Sequence, residues 1–416
     1  MKEGGRNMGK NTLEELAVLG GTPTFDAPLH VGRPNIGDRV RLNERINEAL
    51  DRRWLSNDGP FVREFEQRLC EMLGVRHCLA MCNATVALEI TARALELSGE
   101  VIVPAFTFVA TAHALTWQGL TPVFCDVDPV THNLDLEKIE SLITPRTTGI
   151  VGVHVWGRAC DTDAIDALAK RHGLRVMYDA AHAFLCSHGQ RMLGAFGDAE
   201  VFSFHATKFC NAFEGGAVAT DDDALADRIR LLRNFGFADY DTVTHLGVNG
   251  KMTEVCAAMG LTSLESVGTF VDANRRNYLR YRAELSKIPG LALIDYDDRE
   301  HNNYQYVVVE VNPEVTGIAR DGLQQVLWAE NVMARRYFHP GVHRMEPYRT
   351  RYPEAPMRLL ETESLTDRVM CLPTGTAVGA QEIRGIADVL RTAVESGAEL
   401  QMQMCARGVS SHGGKK

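Results

Sequence analysis

Val201-Phe202-Ser203-Phe204-His205-Ala206-Thr207-Lys208 is the stretch on which the fold turns: an apolar run that becomes polar and ends on a lysine, with Glu214-Gly215-Gly216 close behind. Upstream, Tyr178-Asp179-Ala180-Ala181-His182 closes another apolar run on an acid. Short apolar runs bounded by turn signals read as buried strands. Further runs lie at 78–81, 101–103, 123–125, 150–153, 176–178, 201–204 and 217–219. Helical patterns fill the gaps at 85–97, 134–143, 163–172 and 224–233; in the last, Leu225, Ile229 and Leu232 share one face. Strands alternating with helices predict an α/β fold, a mostly parallel sheet flanked by helices on both sides.

The composition fits a soluble globular enzyme, with 45% hydrophobic and 24% charged residues among 416. That length suffices for two domains. The net charge of −10 speaks against a nucleic-acid partner, and an anionic substrate must be held by local cations. Residues 101–125 carry no formal charge, yet Pro104, Gln118, Gly119 and Pro122 break them into strand, turn, helix and strand, so no membrane span is expected. Residues 1–19 are too polar for a secretory signal. Ten scattered cysteines without zinc-site spacing read as free thiols in a reducing cytoplasm, and no metal is expected.

Helices are expected at 40–53 and 61–73. The composition shifts after about residue 264, and a long helix is expected at 271–286, stopped by Pro289-Gly290. A strand at 304–311 and helices at 319–330 and 380–395 follow. The expected division is a disordered 1–12, a large domain 13–270 with an extended lead-in, a smaller α+β domain 271–405 and a disordered tail 406–416.

In an open parallel sheet, ligands bind outside the carboxyl ends of the strands. Asp179 ends one strand there; it reads either as a carboxylate facing a pyridine nitrogen or as a cap for the next turn. His182 reads as a donor to a phenolic oxygen or as a core histidine. Ala84 and Thr85 open a helix directly after a strand, which suits a phosphate, although plain capping by Asn83 or Thr85 accounts for the same residues. Ser203 offers a further hydroxyl and lacks the Gly-x-Ser-x-Gly elbow of a hydrolase. Phe108 is a flat-ring partner or a core aromatic. Gly215 and Gly216 permit a positive φ or a close backbone approach. A lysine, an acid and an anion pocket together are what pyridoxal 5'-phosphate (PLP) needs.

With these residues, and with Pro104-Ala105-Phe106-Thr107-Phe108-Val109-Ala110-Thr111, Asp126-Val127-Asp128, Val153-His154-Val155-Trp156-Gly157, Arg233-Asn234-Phe235-Gly236 and Gly247-Val248-Asn249-Gly250-Lys251-Met252, the chain closely resembles the DegT/DnrJ/EryC1/StrS family over nearly its whole length. The resemblance implies the aspartate-aminotransferase fold (type I) and PLP-dependent amination of nucleotide sugars. It makes Lys208 the Schiff-base lysine, Asp179 the pyridine partner, and Ala84, Thr85 and Ser203 phosphate binders. His182 takes the place beside the phenolic oxygen, and Phe108 the stacking position. Asn249 matches a residue that reaches the phosphate of a neighbouring subunit, which implies a homodimer with shared sites. The family's usual Ser-Gly-Thr is here Asn83-Ala84-Thr85, which puts the loop geometry in question.

Family dehydratases carry histidine in place of the lysine, so Lys208 favours transamination. The wording of 203–209, 234–237 and 335–348 looks closest to 4-aminotransferases of secondary-metabolite deoxysugar pathways. It implies dTDP-4-keto-6-deoxyglucose as substrate, dTDP-4-amino-4,6-dideoxyglucose as product and L-glutamate as donor, leaving 2-oxoglutarate. Arg335, Arg336, His343, Arg344 and Tyr348 are then candidates for the substrate, with Asn57 and Gly59 near the sugar. A 3-keto sugar or cyclitol aminotransferase, a PLP-dependent sugar dehydratase and a regulatory protein on the same fold remain as alternatives.

Overall fold

The computed structural model describes residues 9–408. A seven-stranded sheet organises the larger part. Its spatial order is His77–Met81, Gly216–Thr220, Ala199–Ser203, Arg175–Asp179, Thr147–Val153, Glu100–Pro104 and Thr121–Cys125. Only Gly216–Thr220 runs antiparallel to its neighbours. Both faces are buried, and alternate side chains divide between them. Ile102, Ile150, Val176, Tyr178 and Phe202 join one core, while Val101, Val103, Val151, Met177 and Val201 join the other.

The helix Ala84–Ala94 stops short of the expected 97, because Glu96 and Gly99 adopt positive φ. The expected helix at 134–143 is only Leu136–Ile139 followed by a 3-10 turn at Glu140–Leu142.

The long helix is Glu254–Leu285, far longer than expected at its N-terminal end and continuous across residue 270. Its first turns hid from the helical pattern because they are apolar all round. Ala257, Ala258, Met259, Gly260 and Leu261 are all buried, and a Cβ on Gly260 would lie 2.7 Å from the Phe65 ring. Beyond it, Leu291–Leu293, Val307–Val311 and Val369–Leu372 form an antiparallel sheet. The helices Arg320–Ala329 and Ala380–Glu395 complete that core. The expected strand from 304 begins at 307, since Tyr304 has φ 48°.

Disorder expected at 1–8 and 409–416 lies outside the described residues. Residues 9–12 are held rather than loose: Lys10 Nζ donates to the carbonyls of Glu15 and Thr22 at 2.6 Å each, and the Asn11 amide donates to Glu15. Residue 406 ends the helix Gly397–Ala406. Residues 101–125 form strand, helix and strand, and no helix among the described residues is long and apolar enough to cross a membrane.

Candidate active site

The strands Thr147–Val153, Arg175–Asp179 and Ala199–Ser203 run parallel, so Val153, Asp179 and Ser203 end at one edge of the sheet. There they line a cavity of about 580 Å³, together with Asn83, Ala84 and Thr85 from the start of a helix. Gly216 begins the reversed strand at the same edge, opposite both Met81 and Ser203. A Cβ on Gly216 would sit 2.6 Å from the Ala84 nitrogen and the Asn83 carbonyl carbon. The glycine pair therefore serves close backbone approach, and neither member has positive φ.

Asn83 caps the helix, accepting from the Val86 amide at 2.9 Å. The amides of Ala84 and Thr85 find no acceptor among the described residues and are free for an anion. Ala84 is a regular first helical residue, so the departure from glycine costs nothing in torsion.

Asp179 is buried in the cavity wall. Thr111 Oγ1 donates to its Oδ2 at 2.7 Å, and the Ala181 amide donates to Oδ1 at 3.0 Å. Burial pushes its carboxyl pKa up, against the pull of Thr111, Ala181 and Lys208. Lys208 follows the strand on a turn closed by its own amide to the His205 carbonyl at 2.8 Å. Its Nζ donates to Tyr306 Oη at 3.3 Å. Burial pulls the Lys208 pKa down to about 8, with Asp179 opposing the drop. An amine so depressed exchanges its proton near neutral pH.

His182 also lines the cavity, and burial, reinforced by Lys208, holds its pKa well below the ordinary imidazole value. The Trp156 backbone amide donates to its Nδ1 at 3.3 Å, so the neutral ring carries its proton on Nε2. Phe108 lines the cavity and is 56% exposed, which removes it from the core.

The cavity thus gathers Ala84, Thr85, Phe108, Asp179, His182, Ser203, Lys208 and Arg335, the last lying over the Tyr337 ring at 5.6 Å. The other sequence candidates do not reach its wall. Arg336 pairs with Asp321 at 2.8 Å. His343 is buried against Glu363 at 2.5 Å, and Arg344 pairs with the same carboxylate. The Tyr348 hydroxyl, fully buried, meets His113 at 2.8 Å and Thr116 at 3.1 Å. These side chains brace the segment that presents Arg335, Tyr337 and Phe338. Gly59 caps the helix Pro60–Leu73 against Glu254, whose carboxylate accepts from the Phe61 and Val62 amides at 2.9 Å each. Asn57 borders a separate hollow with Arg230, Arg233 and Lys251. Asn249 is exposed and bridges Asn234.

Sequence reasoning missed Thr111, Tyr306, Tyr337 and Phe338. Thr111 stood within a quoted motif, in the first turn of the helix Val109–Trp117 that Phe108 precedes. The others come from the side of the cavity next to the three-stranded antiparallel sheet, where no motif marked them.

The residues fit PLP: a buried carboxylate, a depressed lysine and unengaged helix amides share one cavity. The family described as the DegT/DnrJ/EryC1/StrS aminotransferase family matches residues 38–391. The chain is a member of that family. It is 35% identical over 370 residues to the dTDP-4-amino-4,6-dideoxy-D-glucose transaminase of Escherichia coli, covering 88% of this chain and 98% of the relative. It is 38% identical over 322 residues to the GDP-perosamine synthase of Caulobacter vibrioides, covering 74% and 85% respectively. Among solved structures, DesI, crystallised in the presence of its TDP-sugar product, superposes with a TM-score of 0.91 at 53% identity, covering 96% of this chain and all of that one. This aminotransferase has the type I fold, and PLP is the cofactor of its family.

Proposed function

We propose that this enzyme transfers an amino group to carbon 4 of dTDP-4-keto-6-deoxyglucose, with L-glutamate as donor, giving dTDP-4-amino-4,6-dideoxyglucose and 2-oxoglutarate. The observation that carries the amine chemistry is the buried Lys208 amine in one cavity with Asp179. The choice of sugar is supported by the 53% identity to DesI and by the dTDP-4-amino-4,6-dideoxy-D-glucose for which the Escherichia coli relative is named.

PLP, when bound, supplies an aldehyde that takes up an amine and a ring that draws electrons from the reacting carbon. Lys208 would anchor it through Nζ and, once the amino donor displaces that nitrogen, would carry a proton on it, which an amine with pKa about 8 does readily near neutral pH. Asp179, oriented by Thr111 and the Ala181 amide, would keep the pyridine nitrogen protonated. His182 would have its Nε2 hydrogen free for the phenolic oxygen, and Phe108 would be the aromatic partner of the ring. Ala84, Thr85 and Ser203 hold the phosphate. Asn249, which does not line the cavity of its own chain, would reach the phosphate of a second copy, so the working unit is a homodimer. Arg335, the one guanidinium on the cavity wall among the described residues, meets the anionic part of the substrate.

The test is a coupled assay for 2-oxoglutarate with PLP-loaded protein, L-glutamate and dTDP-4-keto-6-deoxyglucose, followed by NMR of the product. Glutamate-dependent amination at carbon 4 is the expected result. Amination at carbon 3, turnover only with a GDP-linked sugar, or loss of oxygen without 2-oxoglutarate overturns the assignment.

A further inference from the structure

Trp156 is held in a conformation that its neighbours must impose. Its φ of 63° lies in the left-handed region that bulky residues avoid, and its side chain is fully buried. The indole Nε1–H donates to His132 Nδ1 at 3.0 Å. The backbone amide donates to His182 Nδ1 at 3.3 Å. The ring stacks on His182, with centroids 5.8 Å apart at 21°, and on Phe338, 5.4 Å apart at 11°.

Indole and backbone N–H groups only donate, so each histidine Nδ1 must accept. His132 therefore keeps its proton on Nε2, which reaches Glu310 Oε1 at 3.1 Å. His132 is itself buried with φ 63°. Glu310 belongs to the strand Val307–Val311 of the smaller sheet, with Arg368 Nη2 at 3.9 Å from its other oxygen. Burial raises its carboxyl pKa, but the His132 hydrogen bond and the nearby charges of Arg368 and Arg158 outweigh that and leave it lowered. The result is a carboxylate, an imidazole and an indole in series, running from the smaller sheet to His182.

We infer that Glu310, His132 and Trp156 form a positioning chain that fixes the ring plane and the Nε2–H tautomer of His182. None of the three lines the cavity, so they act through His182 and not on the reactants. The alternative tautomer would place a hydrogen on Nδ1, facing the Trp156 amide hydrogen. With Trp156 seated by Glu310 and His132, that arrangement is excluded before any ligand enters. The inference rests on the reading of His182 as a donor to PLP.

The experiment uses full-length, PLP-loaded protein carrying ¹⁵N-labelled histidine, with Glu310→Gln, His132→Gln and Trp156→Phe. Trp156→Phe keeps an aromatic ring in the stack while losing the indole donor and part of the buried ring volume. Glu310→Gln keeps the volume and loses the charge, and serves if Trp156→Phe does not fold. The His182 ring signals are those absent from His182→Gln. In the unaltered chain they should show an accepting Nδ1 and a protonated Nε2; in each variant they should move toward a mixture. The expected kinetic effect is a fall in kcat of about ten- to a hundredfold, with KM for the keto sugar within about twofold. In a His182→Gln background the same substitutions should add almost nothing, because the chain has lost its end point.

His182 signals unchanged by all three variants, or losses that add fully in the His182→Gln background, overturn the inference while leaving the enzyme's function intact. Absence of glutamate-dependent amination by the unaltered chain defeats the functional reading instead, and the ¹⁵N spectra still decide the chain.

Discussion

Replacing Asp179 by asparagine should lower the pKa of an amine elsewhere in the cavity, and the size of the starting effect follows from the structure. An ordinary lysine titrates near 10.5, and burial brings Lys208 to about 8, with the Asp179 carboxylate resisting the change. At pH 7 about one Lys208 in eleven is then neutral, against roughly one ordinary lysine in three thousand, a ratio of roughly 300. The sign is fixed: burial disfavours the ammonium form, so the neutral amine accumulates as pH rises through about 8 instead of 10.5. Removing the Asp179 charge takes away the one group that favours the ammonium form, so the midpoint in Asp179→Asn moves below that of the unaltered chain. The assay is competitive acylation of PLP-stripped protein from pH 6 to 11, read by mass spectrometry on the Lys208 peptide and normalised to the exposed Lys170. A midpoint near 10, or one that stays put or rises in Asp179→Asn, refutes the reasoning.

Thr111→Val deletes the 2.7 Å hydrogen bond onto Asp179; hydrogen bonds to charged groups are worth about 1.5–3 kcal/mol, so PLP retention in equilibrium dialysis should weaken by about ten- to a hundredfold, and unchanged retention contradicts the assigned role. Gly216→Ala sets a methyl 2.6 Å from the Ala84 nitrogen, whereas Gly215→Ala meets the movable end of Met252 at 2.8 Å and the Cβ atoms of Ala212 and Phe204 at 3.1 and 3.3 Å. The first should cost about 1–3 kcal/mol of stability and most of the PLP affinity, and the second less of both; equal effects on PLP affinity count against the cradle. Glu254→Ala leaves the Phe61 and Val62 amides uncapped in a buried site, and should lower unfolding stability by about 1–3 kcal/mol with PLP binding retained, as chemical denaturation and dialysis would show.

Much of the site was legible because its residues lie next to strand ends that the apolar runs expose. Asp179, Ser203 and Lys208 are each read from a strand and the turn after it, and the helix opening at Ala84 follows a strand in the same way. The contributions from the side of the three-stranded sheet were hidden for a physical reason. Tyr306 and Phe338 reach the cavity only through tertiary packing, and the spacing around them carries no period. The charged cluster at 335–348 misled in part, because charge alone does not tell a ligand contact from an internal ion pair. Glu363 takes up both His343 and Arg344, and Asp321 takes up Arg336, leaving Arg335 on the cavity wall. The start of the long helix was lost for the opposite reason, since a segment buried on all sides shows no amphipathic stripe.

Borohydride reduction of the purified, PLP-loaded enzyme followed by peptide mapping tests the central assignment most directly. The account predicts a phosphopyridoxyl group on Lys208 and on no other lysine. A cofactor fixed to a different lysine, or a yellow protein whose Lys208 peptide remains unmodified after reduction, would contradict it.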